Sequence, residues 1–210
     1  METIPREARK VNTNSRFHRE LRQSLSLSAD QKRILFGSLL GDACLIENSS
    51  KSSYRLQFEQ SQKQREYLFW KYETFKNFML SKPRYLARTN SWKIRTVSHP
   101  DFSEIRKRFY SGRKKVLPAD ISFLKDPVAL AVWYMDDGSY NRGKGYILNT
   151  QNFTLSENVR LQVFLNSQLN MDVRLHRDRT YYRLFINRRS MERFKNLIGK
   201  EIHPIMRYKL

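Results

Sequence analysis

The chain has 210 residues, of which 40% are hydrophobic, and this composition excludes a wholly disordered protein. Its 40 Lys and Arg against 20 Asp and Glu give a formal net charge of +20, which favours a polyanion such as nucleic acid as the partner. No apolar run approaches the roughly 20 residues of a membrane span, and the lone Cys44 excludes an internal disulfide. We therefore expect no membrane association and a reducing compartment.

The N-terminal stretch is polar and rich in arginine, and we predict a basic arm over residues 1–29. It lacks the apolar core of a secretory signal, and it carries more acidic residues than a transit peptide. We expect the histidines to make surface or nucleic-acid contacts, because none of them has metal-ligand spacing. They are His18, His99, His176 and His203.

The chain contains an internal repeat. An apolar helical segment over residues 34–40 leads to Asp42, and a second one over residues 129–135 leads to Asp137. The same order of elements is predicted after each acid. Because the pattern is duplicated, we expect two structurally similar halves.

In the first half, alternation of apolar and polar residues predicts strands over residues 54–59 and 92–97. Helical spacing of apolar residues predicts one helix from Leu68 to Met79 and another from Phe102 to Phe109. The half closes on a basic segment that contains Lys115.

In the second half, the same patterns predict a strand over residues 146–150 and a helix with Ser156 as its N-cap. A strand over residues 181–186 and a helix over residues 191–198 follow. Lys115 lies 73 positions after Asp42, and Lys209 lies 72 positions after Asp137. Pro118 and Pro127 bracket a short connector between the halves.

The acids at the helix ends need an explanation, because the carbonyl end of a helix carries roughly half a negative charge. If the two apolar helices pack in parallel, the acids converge, and Gly37 and Ala131 are small enough to permit close approach. Carboxylates with helix-end carbonyls form the all-oxygen site that Mg²⁺ favours. The alternative is that both motifs are ordinary surface turns. Their matching places in a repeat favour the metal site.

The segments FGSLLGDAC and LAVWYMDDGSY resemble the two motif helices of single-chain LAGLIDADG homing endonucleases. The resemblance runs from about Asp30 to Leu210, although Ala43 stands where a Gly is usual. It implies a mixed α+β fold with two pseudo-symmetric halves, over residues 30–118 and 119–210. Each half would carry an antiparallel sheet of a saddle over DNA, and two parallel motif helices would join the halves.

The same resemblance implies the site residues. Asp42 and Asp137 would hold Mg²⁺, for which Mn²⁺ can substitute, and the carbonyls of Gly41 and Asp136 would assist. One basic residue per half would lie near the scissile phosphate and its water network. Lys115, or alternatively Lys114, and Lys209 match those positions, and Gln62 and Asn152 match a polar edge of the site.

The outward strand faces supply side chains that can contact bases or phosphates, although each could equally be an ordinary solvated residue. These candidates are Arg55, Gln57, Lys93, Arg95, Arg174, His176 and Arg183.

The function implied is cleavage of both strands of a long double-stranded DNA target, with 3′ overhangs, in support of intron mobility. Two motifs in one chain make a monomer sufficient. The alternative is an intron RNA maturase with or without DNA cleavage. A structural ribosomal or chromatin protein would explain the charge but not the paired acids. A mitochondrion, a chloroplast and the bacterial cytoplasm all fit.

Overall fold

The computed structural model describes residue 20, residues 22–48 and residues 53–210. The chain divides into two compact units. One contains the described residues up to 32 together with 42–107, and the other contains 33–41 and 108–210. Most of the predicted basic arm, with His18, lies outside the described residues. The predicted division into sequence halves at residue 118 stays a prediction.

The first motif helix, α1, spans Ala29–Leu40. It begins at a reciprocal cap, because the Gln31 backbone N–H donates to Ser28 Oγ at 3.1 Å and the Ser28 N–H donates to Gln31 Oε1 at 3.0 Å. The predicted apolar segment lies within this helix, and Leu35 and Leu39 are buried. The prediction of the first motif helix is confirmed.

The first unit is built on a four-stranded antiparallel sheet in the order β1-β2-β4-β3. Its strands are β1 (Cys44–Glu47), β2 (Tyr54–Ser61), β3 (Arg84–Leu86) and β4 (Ser91–Ser98). Strands β2 and β4 were expected from alternation, whereas β1 and β3 are too short to show a pattern.

The helices of the first unit cover the buried face of this sheet. The predicted helix to Met79 ends early, because α2 spans Arg65–Thr74 and a 3-10 turn over Lys76–Phe78 follows. Phe75 and Met79 are buried nevertheless, so the apolar spacing marked the core correctly but not the helix end. Helix α3 spans Pro100–Phe109, as predicted.

The second unit contains the second motif helix, α4, which spans Pro127–Asp137. Asp126 caps it by accepting the Val128 N–H at 2.8 Å, and Pro127 occupies its first turn. Every residue from Ala129 to Met135 is fully buried, as expected for a helix that is apolar on all sides.

A two-stranded hairpin, β5 (Tyr110–Ser111) with β6 (Lys114–Lys115), precedes α4 in the chain. Four strands follow α4, namely β7 (Gly138–Asn141), β8 (Gly145–Leu148), β9 (Val173–Asp178) and β10 (Tyr181–Asn187). They form a second antiparallel sheet in the order β7-β8-β10-β9. The two larger sheets therefore share one strand order, as a repeat requires.

Helix α5 spans Leu155–Leu169, and the prediction of Ser156 as its N-cap is wrong. Thr154 is the N-cap, because Glu157 three residues later completes a capping box with it. Helix α6 spans Met191–Ile198, as predicted, and the chain ends with a 3-10 turn over Pro204–Lys209. No helix among the described residues is long and apolar enough to cross a membrane.

Candidate active site

The two motif helices meet inside the second unit. A methyl group at Gly37 would overlap the carbonyl oxygen of Ala129, and one at Gly41 would overlap the Cβ of Asp136. The contact positions increase together along both helices, from Gly37 with Ala129 to Gly41 with Asp136, so α1 and α4 run parallel. The prediction of a close approach at Gly37 is confirmed, but the backbone that it meets belongs to Ala129 rather than to Ala131.

Asp42 follows α1 directly, in a turn, and its side chain is exposed. Gln60, on β2 of the same unit, donates from Nε2 to Asp42 Oδ2 at 2.8 Å. The amide group orients the carboxylate. Gln60 itself is only 4% exposed.

Asp137 is the last residue of α4, and its side chain is half-buried. Its carbonyl oxygen accepts the Asn149 backbone N–H at 2.9 Å and the Asn149 side-chain amide at 2.8 Å. The backbone at the end of α4 is therefore fixed by the residue that follows β8. Asp136 precedes it and is 9% exposed.

Lys115 lies in β6 and is half-buried. Its Nζ donates to the Gly41 carbonyl oxygen at 2.5 Å, within the second unit. This contact places an ammonium group at the negative end of α1, one residue before Asp42 in the chain. The ammonium group therefore compensates part of the negative charge at this helix end.

Lys209 makes the equivalent contact at the end of α4. Its Nζ lies 2.5 Å from the Met135 carbonyl oxygen and 3.3 Å from that of Asp136, and the residue is only 9% exposed. The Tyr134 hydroxyl donates to the Lys209 carbonyl oxygen and fixes the backbone that carries the ammonium group. Burial raises the pKa of Tyr134, so this hydroxyl stays protonated.

The donors at the helix ends fit a hard divalent cation, because they are carboxylate and carbonyl oxygens. Among the described residues, no three side chains of His, Cys, Asp or Glu lie together. Mg²⁺ is commonly bound through one or two carboxylates with substrate phosphates, so a larger cluster is not required. The Gly41 and Asp136 carbonyls already accept lysine N–H groups, and each carbonyl has two lone pairs to share.

The two weaker edge candidates lie on the surface of their own units. Gln62 is exposed just after β2, and its Oε1 accepts the Trp92 indole N–H at 2.5 Å. Asn152 is exposed in the turn between β8 and α5. Their proposed place at the edge of the site stays a prediction.

The outward face of the first sheet carries paired polar residues. Gln57 Oε1 accepts from Arg95 Nε at 3.3 Å and from Nη2 at 3.0 Å, while Lys93 Nζ lies 2.9 Å from Glu59 Oε2. Burial and the neighbouring Arg95 lower the pKa of Arg55. Repulsion between neighbouring guanidinium groups favours an anionic partner on this face.

The outward face of the second sheet is organised differently. His176 is exposed and stacks on Phe185, with ring centroids 4.4 Å apart. Arg183 Nη1 lies 3.8 Å from Asp178, and the exposed Arg174 lies 3.5 Å from an aspartate. All seven predicted contact residues thus lie on strands, and none of them is buried.

One predicted surface residue is buried, and two residues of the site were not predicted. His99 is 4% exposed, with Nε2 lying 3.0 Å from the Arg22 carbonyl oxygen, so it is a buried structural residue rather than a surface contact. Gln60 and Tyr134 were not predicted as site residues. Gln60 could have been found, since it is an amide on the apolar face of β2, whereas nothing near Tyr134 in the sequence indicates its partner.

Comparison with protein families gives one clear match. The sequence profile of the LAGLIDADG DNA endonuclease family matches residues 32–194. The chain is 33% identical to the cytochrome b mRNA maturase bI2 of Debaryomyces hansenii, over 88% of this chain and 74% of that protein. It is also 28% identical to the DNA endonuclease I-ChuI of Chlamydomonas applanata, over 89% of this chain and 96% of that one.

The fold is similar to that of the homing endonuclease I-WcaI, whose structure was solved bound to its DNA recognition sequence. The TM-score is 0.83 and the identity 26%, and the match covers 98% of this chain and 96% of that chain. Similarity over nearly the whole length of both chains confirms the expected fold class.

Proposed function

Since the chain belongs to the LAGLIDADG DNA endonuclease family, we propose that it is a site-specific homing endonuclease of the single-chain, two-motif type. It hydrolyses phosphodiester bonds in both strands of a long double-stranded DNA target and supports intron mobility. The observation that carries the proposal is the duplicated helix end. Two parallel helices each end at a carbonyl bonded by a lysine, and an aspartate completes each end.

Asp42 and Asp137 are the proposed metal ligands, assisted by the carbonyls of Gly41 and Asp136. When bound, Mg²⁺ or Mn²⁺ would polarise the scissile phosphate, activate the attacking water and stabilise the leaving oxygen. The Gln60 amide orients the Asp42 carboxylate, and Asn149 fixes the backbone of Asp137.

The lysines have a second proposed role beside the metal ligands. Lys115 and Lys209 place positive charge at the carbonyl ends of α1 and α4, where it can organise water and stabilise the charge that develops on a phosphate. The backbone contacts of both ammonium groups hold this charge in a defined position.

Contacts with duplex DNA are proposed for the outward faces of both sheets. The net charge of +20 supplies affinity that does not depend on base sequence, and it weakens steeply with salt. Arg95, held by Gln57, and Lys93, held by Glu59, have defined orientations and are suited to base contacts. A monomer suffices, because one chain carries both acids and both lysines.

The decisive experiment incubates the full chain with a randomised duplex library and Mg²⁺ and sequences the cut ends. We expect one staggered cut near the centre of a long site, with 3′ overhangs. Asp42→Asn and Asp137→Asn should each lower the cleavage rate on the order of a thousandfold, since each removes a metal ligand. Affinity for DNA should persist or increase, because a negative charge near the phosphates is lost.

The matched control is Asp120→Asn, which removes a carboxylate that accepts the Ser122 N–H at the surface of the second unit. This variant should cut at the parental rate. Full double-strand cutting by Asp42→Asn and by Asp137→Asn would overturn the metal assignment.

A second candidate function is intron RNA maturation, favoured by the 33% identity to a maturase. It is compatible with DNA cleavage, because the acids and lysines are all present. The maturase function would replace the endonuclease function if single-stranded RNA bound at least as tightly as any duplex and the library gave no central cut.

A further inference from the structure

Glu157 makes more contacts than a helix cap requires. Its Oε2 accepts the Thr154 backbone N–H at 2.7 Å and the Thr154 hydroxyl at 2.7 Å, which closes the capping box of α5. Its Oε1 accepts the Leu117 backbone N–H, also at 2.7 Å, from a residue 40 positions earlier. The carboxylate therefore joins the start of α5 to the segment that follows β6.

A second residue of α5 holds the same segment. Arg160 Nη2 donates to the Pro118 carbonyl oxygen at 2.8 Å and to that of Ala119 at 2.9 Å. Three consecutive residues, 117–119, are thus bonded to the first two turns of α5. The segment can leave its place only if several charge-assisted hydrogen bonds break.

The segment held in this way begins two residues after Lys115. Lys115 itself is paired with Tyr110 in the β5–β6 hairpin, and the Val116 N–H donates to the Phe109 carbonyl oxygen at 2.9 Å. The backbone is therefore held at Lys115 and Val116 by the hairpin and at residues 117–119 by α5. Its Nζ can then remain 2.5 Å from the Gly41 carbonyl oxygen.

The charge state of Glu157 suits this role. Burial alone would raise the pKa of Glu157. The Leu117 and Thr154 N–H groups and the nearby Lys114 lower that pKa by a larger amount, so it lies below its ordinary value. Glu157 is therefore a carboxylate at neutral pH and accepts strong hydrogen bonds.

We infer that Glu157 is a positioning residue for Lys115, and that Arg160 supports it. A helix of the second sequence repeat thereby aligns the lysine of the first. The consequence for cleavage rests on the proposed endonuclease function, whereas the alignment itself is a property of the protein without DNA. A residue that aligns one lysine should affect one strand of the target more than the other.

The test compares Glu157→Ala with Thr154→Ala in the full chain. Both variants damage the capping box, but Thr154→Ala keeps the carboxylate on Leu117, so it is the matched control for lost helix stability. The first measurement is labelling of lysines by an amine-reactive reagent, followed by peptide mass spectrometry. The second is the cleavage rate of each DNA strand.

We expect Glu157→Ala to raise the labelling rate of Lys115 about tenfold and to leave that of Lys209 unchanged. Cleavage should slow about tenfold on the strand that Lys115→Met also slows, so that nicked DNA accumulates. Thr154→Ala should change neither the ratio of Lys115 labelling to Lys209 labelling nor the ratio of the cleavage rates of the two strands. Glu157→Gln keeps one oxygen acceptor and should restore part of both effects.

Equal slowing of both strands by Glu157→Ala, or unchanged labelling of Lys115, would overturn the inference. If the parent chain cuts no DNA, the proposed function fails, but the labelling ratio still decides whether Glu157 aligns Lys115. The two failures are therefore distinguishable.

Discussion

Two lysines each place an ammonium group at the carbonyl end of a motif helix, but they lie in different structural elements. Lys115 lies in a two-residue strand, is half-buried, and its ammonium group donates to the Gly41 carbonyl oxygen. Lys209 is delivered by a 3-10 turn, is buried and lies near two carbonyl oxygens, those of Met135 and Asp136. The two repeats thus agree in the ammonium group and differ in the element that carries it.

This difference shows which feature of the repeat is constrained. A parallel pair of helices brings two negative ends close together, and each end needs a cation. The structures around the lysines are not constrained in the same way, so different elements can deliver them. Glu157 supports the first lysine through Leu117, and Tyr134 supports the second through its carbonyl oxygen.

The largest expected effect separates the two lysines directly. Lys115→Met and Lys209→Met should each slow cleavage at saturating DNA by about a hundredfold while weakening binding less. Lys209→Met should destabilise the fold more than Lys115→Met, because Lys209 is buried and its removal takes a hydrogen bond from the buried Met135 carbonyl oxygen at a cost of about 2 kcal/mol. For a chain of this size that corresponds to a fall in Tm of about 4–8 °C, measured by thermal unfolding.

The control for this pair is Lys107→Met, since Lys107 is exposed and its ion pair with Glu104 lies on the surface. This variant should have the parental Tm and cleavage rate. Equal falls in Tm for the two site variants would show that their different burial has no energetic consequence.

Much of the fold could be predicted because its main elements have local signals. The motif helices are continuous apolar runs, and β2 and β4 alternate cleanly. Strands β1 and β3 could not be predicted, because they have only four and three residues and gain their order from pairing with β2 and β4. The N-cap at Thr154 has a local signal in Glu157, three residues later, whereas Ser156 has only the residue type of an N-cap.

The candidate site was predictable where the repeat doubled the signal, and not elsewhere. The contacts now found at the site join residues far apart in the chain. Gln60 lies 18 positions from Asp42, and Tyr134 lies 75 positions from Lys209. Such contacts arise from tertiary packing, which local patterns in the sequence do not reveal.

The contact between the motif helices gives the next prediction. Gly37→Ala should lower the free energy of unfolding, because the new methyl group meets the backbone carbonyl of Ala129, which cannot rotate away. Overpacking costs about 1–3 kcal/mol, and better helix propensity offsets about 1 kcal/mol of that loss. Urea unfolding should therefore show a net loss of up to about 2 kcal/mol.

Ser38→Ala is the control in the same helix. The Ser38 hydroxyl is buried and has no hydrogen-bond partner among the residues that the structure describes, so its removal should not destabilise the chain. A Gly37→Ala variant at least as stable as the parent would show that the helices can move apart at little cost.

The smallest expected effect is a pH dependence that distinguishes the supports of the two lysines. The pKa of Glu157 lies below its ordinary value in the folded chain, because hydrogen bonds from Leu117 and Thr154 outweigh burial. Its contribution to stability is therefore complete above the ordinary glutamate pKa of about 4.3 and is lost as the pH falls through the lower folded value. The difference in Tm between the parent and Glu157→Gln should shrink over that interval.

The support of Lys209 should not respond in the same way. Tyr134 is neutral throughout the acid range, and burial moves its pKa further upward, so the Tm difference between the parent and Tyr134→Phe should be constant from pH 7 to about pH 3. Thermal unfolding of the three proteins across this range tests both expectations. If the Tm difference between the parent and Glu157→Gln were equally constant, the carboxylate would bind the Leu117 N–H no better than an amide does. The acid sensitivity of the fold would then come from other residues.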